Sequence, residues 1–194
     1  MSACGACGPP GMETINLAEL YDSPTIGWEV VRDRLESDLE PAANDPGTRS
    51  DNRGPQRYTC WLHSLNADGS PHANAVGAIW SDERFWFVTG LDTRRGRNLT
   101  RDPRCVLAVS LRELDLVLEG RAVLVQDPGQ LERLAGRWAA EGWPCEVDAA
   151  AGALTAPFSA QSAGPPPWHV FGIEAASAHG VEVVEPYGAT RWRF

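Results

Sequence analysis

The sequence predicts a mixed α+β fold built around a small β-barrel, and three observations carry that prediction. Strand-like runs rich in β-branched and aromatic residues, about six of them, alternate with turn signals between residues 58 and 184. Helical periodicities are inserted among these runs. An open antiparallel sheet of that many strands would leave edges and one apolar face unprotected, so the strands are expected to close, or nearly close, on themselves. The 194 residues, 43% of them hydrophobic, suit one ordinary domain with its own core.

The elements follow in order. Residues 1–27 have few periodic apolar positions and read as an N-terminal arm, flexible or packed on a partner; residues 28–194 read as a single domain. Val31, Leu35 and Leu39 recur at helical spacing in 28–39, and Pro41 ends that helix. Residues 42–56, rich in Asn, Asp, Pro, Gly and Arg, read as a loop. Strands are expected at 58–65, 72–80 and 84–89, joined by turns at 67–70 and 81–83 into an antiparallel meander. A short helix follows from Thr93, a plausible N-cap, to about Arg101, with Pro103 beyond it. Two more strands, 105–111 and 114–125, precede a helix at 128–141 with Leu131, Leu134, Ala135 and Trp138 on one face. Residues 145–167 carry no periodicity that assigns an element. Strand-like runs return at 168–173 and 179–184, and the sequence finishes with Ala189-Thr190-Arg191-Trp192-Arg193-Phe194.

Composition narrows the function. A formal net charge of -9 lacks the basic field that nucleic-acid binding requires. No run approaches the roughly 18 apolar residues of a membrane span, and residues 1–11 carry no basic residue of a secretion signal, so a cytoplasmic protein is expected. Five cysteines are an odd number; Cys60 and Cys105 lie in strand-like runs and read as small buried hydrophobes. Cys4 and Cys7 form a lone C-x-x-C that reads as part of a tail rather than as a metal or redox site. His63, His72, His169 and His179 show no metal-ligand spacing, and there is no G-x-S-x-G, so neither a metal site nor a catalytic nucleophile is expected.

The positive charge is concentrated. Every basic residue among the 17 is arginine, and Arg94, Arg95, Arg97, Arg101 and Arg104 fall in one short stretch. An acidic chain with one basic patch suggests a small anionic ligand. Residues 89–99 (TGLDTRRGRNL) combine a strand end, a turn, a hydroxyl at a helix start and several guanidinium groups. The first N–H groups of a helix lack internal partners and carry the positive end of its dipole, so they suit an anion. An arginine fork holds two phosphate oxygens at once, and Asn98 adds an amide donor. The residues alone leave two readings open, an anion site or the solvated face of a surface helix.

The order of these elements resembles the split-barrel oxidoreductases of the pyridoxamine 5'-phosphate oxidase superfamily. Asp68-Gly69-Ser70-Pro71-His72 is similar to the family's Asp-Gly-x-Pro-His turn, Phe85-Trp86-Phe87-Val88-Thr89 to the strand entering its phosphate site, and Arg121-Ala122 to its Gly-x-Ala strand. The likeness covers 61–127 well and the C-terminal end more loosely. It implies a dimeric split barrel, with two cofactors at the interface of a homodimer. The cofactor ring would lie along Asn74, Ala75, Val76 and Gly77, and Thr89, Thr93, Arg94, Arg95 and Asn98 would hold the phosphate. Many relatives have lysine where this chain has Arg95. Trp168, Arg191 or Trp192 would approach the cofactor or substrate.

The resemblance further implies that the cofactor carries the redox step, so no catalytic side chain is required. Coenzyme F420 is favoured over FMN because its acidic tail suits the arginine patch. The expected activity is hydride transfer from reduced F420 to an electron-poor C=C or C=N bond of a small organic substrate, with secondary metabolism as a setting. The alternatives are an FMN-dependent oxidase or reductase, and a carrier of flavin, deazaflavin or haem without turnover. A cofactor-free interaction domain is the remaining reading, and it predicts that replacing Arg94 and Arg95 changes no ligand interaction.

Overall fold

The computed structural model describes residues 11–39, 58–158 and 162–194. The lone C-x-x-C of Cys4 and Cys7 and the loop expected at 42–56 lie outside the described residues. Among the described residues three α-helices stand where the spacing places them: α1 (Trp28–Leu39), α2 (Arg94–Arg101) and α3 (Pro128–Ala140). The described residues also form eleven strands: β1 (Glu13–Asn16), β2 (Cys60–Leu65), β3 (Pro71–Val76), β4 (Ile79–Ser81), β5 (Arg84–Thr89), β6 (Arg104–Ser110), β7 (Leu114–Leu124), β8 (Glu146–Asp148), β9 (Ala153–Thr155), β10 (His169–Glu182) and β11 (Ala189–Arg193). Nine pair in one sheet, in the order β1-β11-β10-β7-β6-β2-β3 with β5 on β10 and β4 on β5, while β8 and β9 form a separate hairpin. The fold is mixed α+β, as the sequence predicts.

Three elements differ from expectation. The strand expected at 72–80 is two, β3 and β4, parted at Gly77 and Ala78. The runs 168–173 and 179–184 are one continuous strand, β10, because β11 pairs along its second half, with Ser177 opposite Arg193 and Val181 opposite Ala189. Within the expected arm, Glu13–Asn16 is a strand on β11, with Glu13 opposite Arg193 and Asn16 opposite Thr190.

The chain divides into two compact units. The first comprises residues 1–60, 107–119 and 175–194. Here α1 buries Trp28, Val31 and Leu35, and the Trp28 ring meets Trp192 edge-on at 5.3 Å and Phe194 at 4.8 Å. Aromatic pairs in this geometry add to the stabilisation from area alone. Gly180 gives Trp192 its space, since a Cβ there would lie 2.7 Å from the indole. Asp38, buried at the end of α1, accepts the Arg112 N–H at 2.9 Å.

The second unit comprises residues 61–106 and 120–174. Asp127 caps α3 by accepting the Gln130 N–H, with Pro128 at the first helical position, the arrangement that satisfies an otherwise unpaired N–H. The helix buries Leu131, Leu134, Ala135 and Trp138 in a cluster with Ile79, Trp86, Val88, Leu154, Trp168 and Val170. Trp143 bridges this cluster, 6.1 Å from Trp138 and 5.4 Å from Trp168. Cys60 and Cys105 are free and buried, and burial pushes both thiols up to about 12, so they are inert small hydrophobes as expected.

Candidate functional site

The arginine segment lies in the second unit, where β5 ends, turns and enters α2. Thr93 organises the turn. Its hydroxyl donates to the Gly90 carbonyl at 2.8 Å and accepts the Gly96 N–H at 3.0 Å, which makes it the N-cap that the sequence predicts. The Thr89 and Thr93 hydroxyls are hydrogen-bonded to each other at 2.9 Å, and the Thr89 hydroxyl also lies 3.3 Å from the Gly90 carbonyl. Gly90 is held from outside the turn, its N–H donating to the Ala163 carbonyl at 2.7 Å. The cap leaves the N–H groups of Arg94 and Arg95 without intrahelical acceptors, at the positive end of the helix.

Gly96 allows α2 to sit this close. A Cβ at Gly96 would lie 2.3 Å from the Gly90 carbonyl oxygen and 2.7 Å from Leu91 Cα. Backbone cannot yield as a flexible side chain does. Ala at position 96 therefore lowers stability by about 2 kcal/mol, although helix propensity alone would favour Ala by roughly 1 kcal/mol. Urea denaturation of Gly96→Ala reads the sign directly.

Arg95 is buried, with 3% of its surface exposed. One terminal nitrogen, Nη2, donates to the Val88 carbonyl at 3.2 Å and the Ser162 carbonyl at 3.1 Å. Its carbon Cζ lies 5.9 Å from the centre of the Phe87 ring. Nε and Nη1 are buried with no hydrogen-bond partner among the described residues. Burial pushes the guanidinium down to about 10, which still leaves it charged at neutral pH. A buried cation with two unmatched donors is costly unless an anion completes it.

The other arginines divide by their contacts. Arg94 is exposed. Arg97 donates to the Asp92 carbonyl, and Arg101 to the Leu65 carbonyl and to Asn98 Oδ1. Arg104 pairs with Asp102 at 2.6 Å. No ion pair among the described residues neutralises Arg94, Arg95, Arg97 or Arg101, so α2 keeps a net positive field. His72, on β3, feels it: its imidazole is held below the ordinary value by burial first, then by the charges of Arg94 and Arg95.

The remaining residues singled out by the sequence take varied positions. Asn98 is buried, and its amide nitrogen donates to Ser64 Oγ and Asn66 Oδ1, each at 3.2 Å, tying α2 to β2. On β3, Asn74 donates weakly to the Ala75 carbonyl at 3.3 Å, and its Oδ1 is buried without a partner among the described residues. Ala75 is half-buried, Val76 buried and Gly77 exposed, and a Cβ on Gly77 would meet nothing within 4 Å. Trp168 is buried in the cluster under α3, with Nε1 donating to the Gly164 carbonyl at 2.8 Å. It shares that cluster with Trp86 and Val88, on the face of β5 opposite Phe87 and Thr89. Arg191 belongs to the other unit, where its Nε donates to His179 Nε2 at 2.5 Å. The residue that sequence reasoning passed over is His169, directly across from Thr89 in the β5–β10 register, half-buried, with Nδ1 unpartnered among the described residues. Its isolated position in the sequence gave no signal; only the strand register brings it here.

Among the described residues no group of three or more His, Cys, Asp or Glu is placed to hold a metal ion, and no helix is long and apolar enough to cross a membrane. No curated protein sequence matches the chain. Among solved structures, a conserved hypothetical protein of Mycobacterium tuberculosis is similar at 20% identity and a TM-score of 0.52, over 82% of this chain and 86% of that one. PhzG of Burkholderia lata, in complex with tetrahydrophenazine-1-carboxylic acid, is similar at 15% identity and a TM-score of 0.51, over 91% and 90%. At these identities the likeness speaks for the fold. The sequence profile described as Pyridoxamine 5'-phosphate oxidase matches residues 53–182, well over half of the sequence and including every element of the arginine segment, and the chain belongs to that family of flavin- or deazaflavin-dependent oxidoreductases.

Proposed function

We propose that the protein is an F420H2-dependent reductase whose cofactor phosphate is held at the start of α2. The observation that carries the reading is Arg95, a charged, buried side chain whose Nε and Nη1 lack partners among the described residues, at the first turn of a helix whose leading N–H groups have no intrahelical acceptors. These donors fit a phosphate, because a guanidinium fork and helix N–H groups converge on the same class of oxygen anion. Thr89 and Thr93 shape the turn that presents them, and Asn98 fixes α2 to β2. When bound, such a cofactor supplies the hydride, and the substrate class that suits it is a small organic molecule with an electron-poor C=C or C=N bond. β3, ending at the open position Gly77, is the strand proposed to carry the ring.

Coenzyme F420 is preferred to FMN on the electrostatics of α2. Among the described residues Arg94 and Arg97 enter no ion pair, and Arg101 is only partly offset, by the carboxylates of Asp68 and Asp102; a cofactor with an acidic tail gains from that field more than FMN does. We read the functional unit as a homodimer, following the family resemblance. Titration of cofactor-free protein with F420 and with FMN, followed by quenching of tryptophan fluorescence, tests the assignment. Tight binding of F420 with consumption of its reduced form by an enone or imine panel is expected. Binding of FMN alone moves the chain to the flavin side of the family, and binding of neither removes the cofactor assignment.

A further inference from the structure

We infer that His169 is a third arm of this anion site, donating its Nδ1–H to the phosphate that Arg95 holds. The inference rests on the reading of residues 89–98 as a phosphate site and adds a residue to it. Register places the side chain. His169 pairs with Thr89 and Phe171 with Phe87 along antiparallel β10 and β5, and directly paired residues project from the same face. The Phe87 and Phe171 rings stack at 5.7 Å and 11°, as that shared face requires. Arg95 lies over the Phe87 ring, so the guanidinium, Thr89 and His169 occupy one face of the β5–β10 pair.

Chemistry supplies the second argument. His169 Nδ1 is buried and makes no hydrogen bond among the described residues, although an imidazole nitrogen at such a position ordinarily finds one. Burial holds the ring below its ordinary value, so it is neutral near pH 7 and retains one N–H to donate. Among the described residues, the Nε and Nη1 donors of Arg95, whose guanidinium lies over Phe87 on this face, are also unmatched. With the ring N–H on Nδ1, His169 and Arg95 present only donors to each other, and donors do not satisfy one another. A phosphoryl group, with three acceptor oxygens, satisfies Nε, Nη1 and Nδ1 together, and its orientation is then fixed from β10 as well as from α2.

Two substitutions and two ligand pairs test this. His169→Phe keeps the ring volume and removes the donor, whereas His169→Asn places an amide N–H near the position of Nδ1. Wild type and both variants are titrated with FMN and riboflavin, and with F420 and its deazaflavin chromophore lacking the phosphate. Loss of a hydrogen bond to a charged acceptor predicts that His169→Phe weakens the phosphate-bearing ligands by about tenfold or more. His169→Asn should retain affinity to within about threefold, and the phosphate-free ligands should be unmoved in both variants. Equal weakening of ligands with and without phosphate, or no weakening at all, overturns the role of His169 while leaving the Arg95 site standing. A wild-type chain indifferent to the phosphate overturns both. Should His169→Phe fold poorly, the imidazole 15N signals of the wild-type chain under FMN or F420 decide: a shift of the His169 Nδ1–H signal is expected, and a stationary signal contradicts the inference.

Discussion

Replacing Arg95 with methionine weakens binding of the phosphate-bearing cofactor by about a hundredfold and leaves the melting temperature close to that of the parent. The affinity loss follows from two charge-assisted hydrogen bonds, each worth roughly 1.5–3 kcal/mol, less what water recovers once the site is open. The stability result follows from the opposite side of the same arithmetic. Without ligand, Arg95 is a buried cation whose hydrogen-bond partners among the described residues are the Val88 and Ser162 carbonyls. An apolar side chain of similar length relieves that desolvation while leaving two weak acceptors short, and such exchanges are often near neutral. Arg95→Lys keeps the charge but loses the fork, and its affinity falls between the two. Isothermal titration and a thermal melt on the same samples separate a binding role from a scaffold role, since a scaffold arginine would lower the melt and leave the phosphate preference intact.

Replacing Trp168 with alanine destabilises the protein by about 3–5 kcal/mol, the range for removing a fully buried tryptophan. The indole is 1% exposed, packs against Trp143, and donates to the Gly164 carbonyl. Its backbone hydrogen bonds to Leu154 survive the substitution, so the loss is one of packing and of the Nε1 anchor. That loss is a large part of the 5–15 kcal/mol by which a domain is ordinarily stable. Trp168 also reaches the arginine segment at one remove. Residues 162–164 supply the carbonyls that receive Arg95, the Gly90 N–H and the Trp168 indole. Trp168 is thus a positioning residue for that loop, and a chemical denaturation curve, with cofactor affinity measured on the folded fraction, distinguishes this from direct contact.

The helices were legible because their information is local. Val31 and Leu35 of α1, and Leu131, Leu134 and Trp138 of α3, announce their buried faces by spacing alone. The turn into α2 was legible for the same reason, since Thr93 caps within four residues and Pro103 follows the end. What escaped was fixed by distant partners. Residues 174–178 (EAASA) have little strand preference, yet they continue β10 because β11 offers Arg193 and Trp192 as pairing partners. Glu13–Asn16 has no alternation to mark it and is a strand only by pairing with β11. The segment 145–167 lacked periodicity because part of it is held by single hydrogen bonds, Ala163 to Gly90 and Ser162 to Arg95, rather than by a regular element. Within the site, the arginines and threonines were legible as a type of chemistry. Their division into Arg95 with unmatched donors, Asn98 with its amide spent on β2, and His169 drawn in by register was not.

The phosphate is the feature on which the account turns, and a comparison of ligands that differ only in that group tests it most directly. Titrating the wild-type chain with F420 and its phosphate-free chromophore, and with FMN and riboflavin, should give at least a hundredfold preference for one phosphate-bearing member over its counterpart, and Arg95→Met should erase that preference. Equal affinity within both pairs would contradict an anion site at the start of α2.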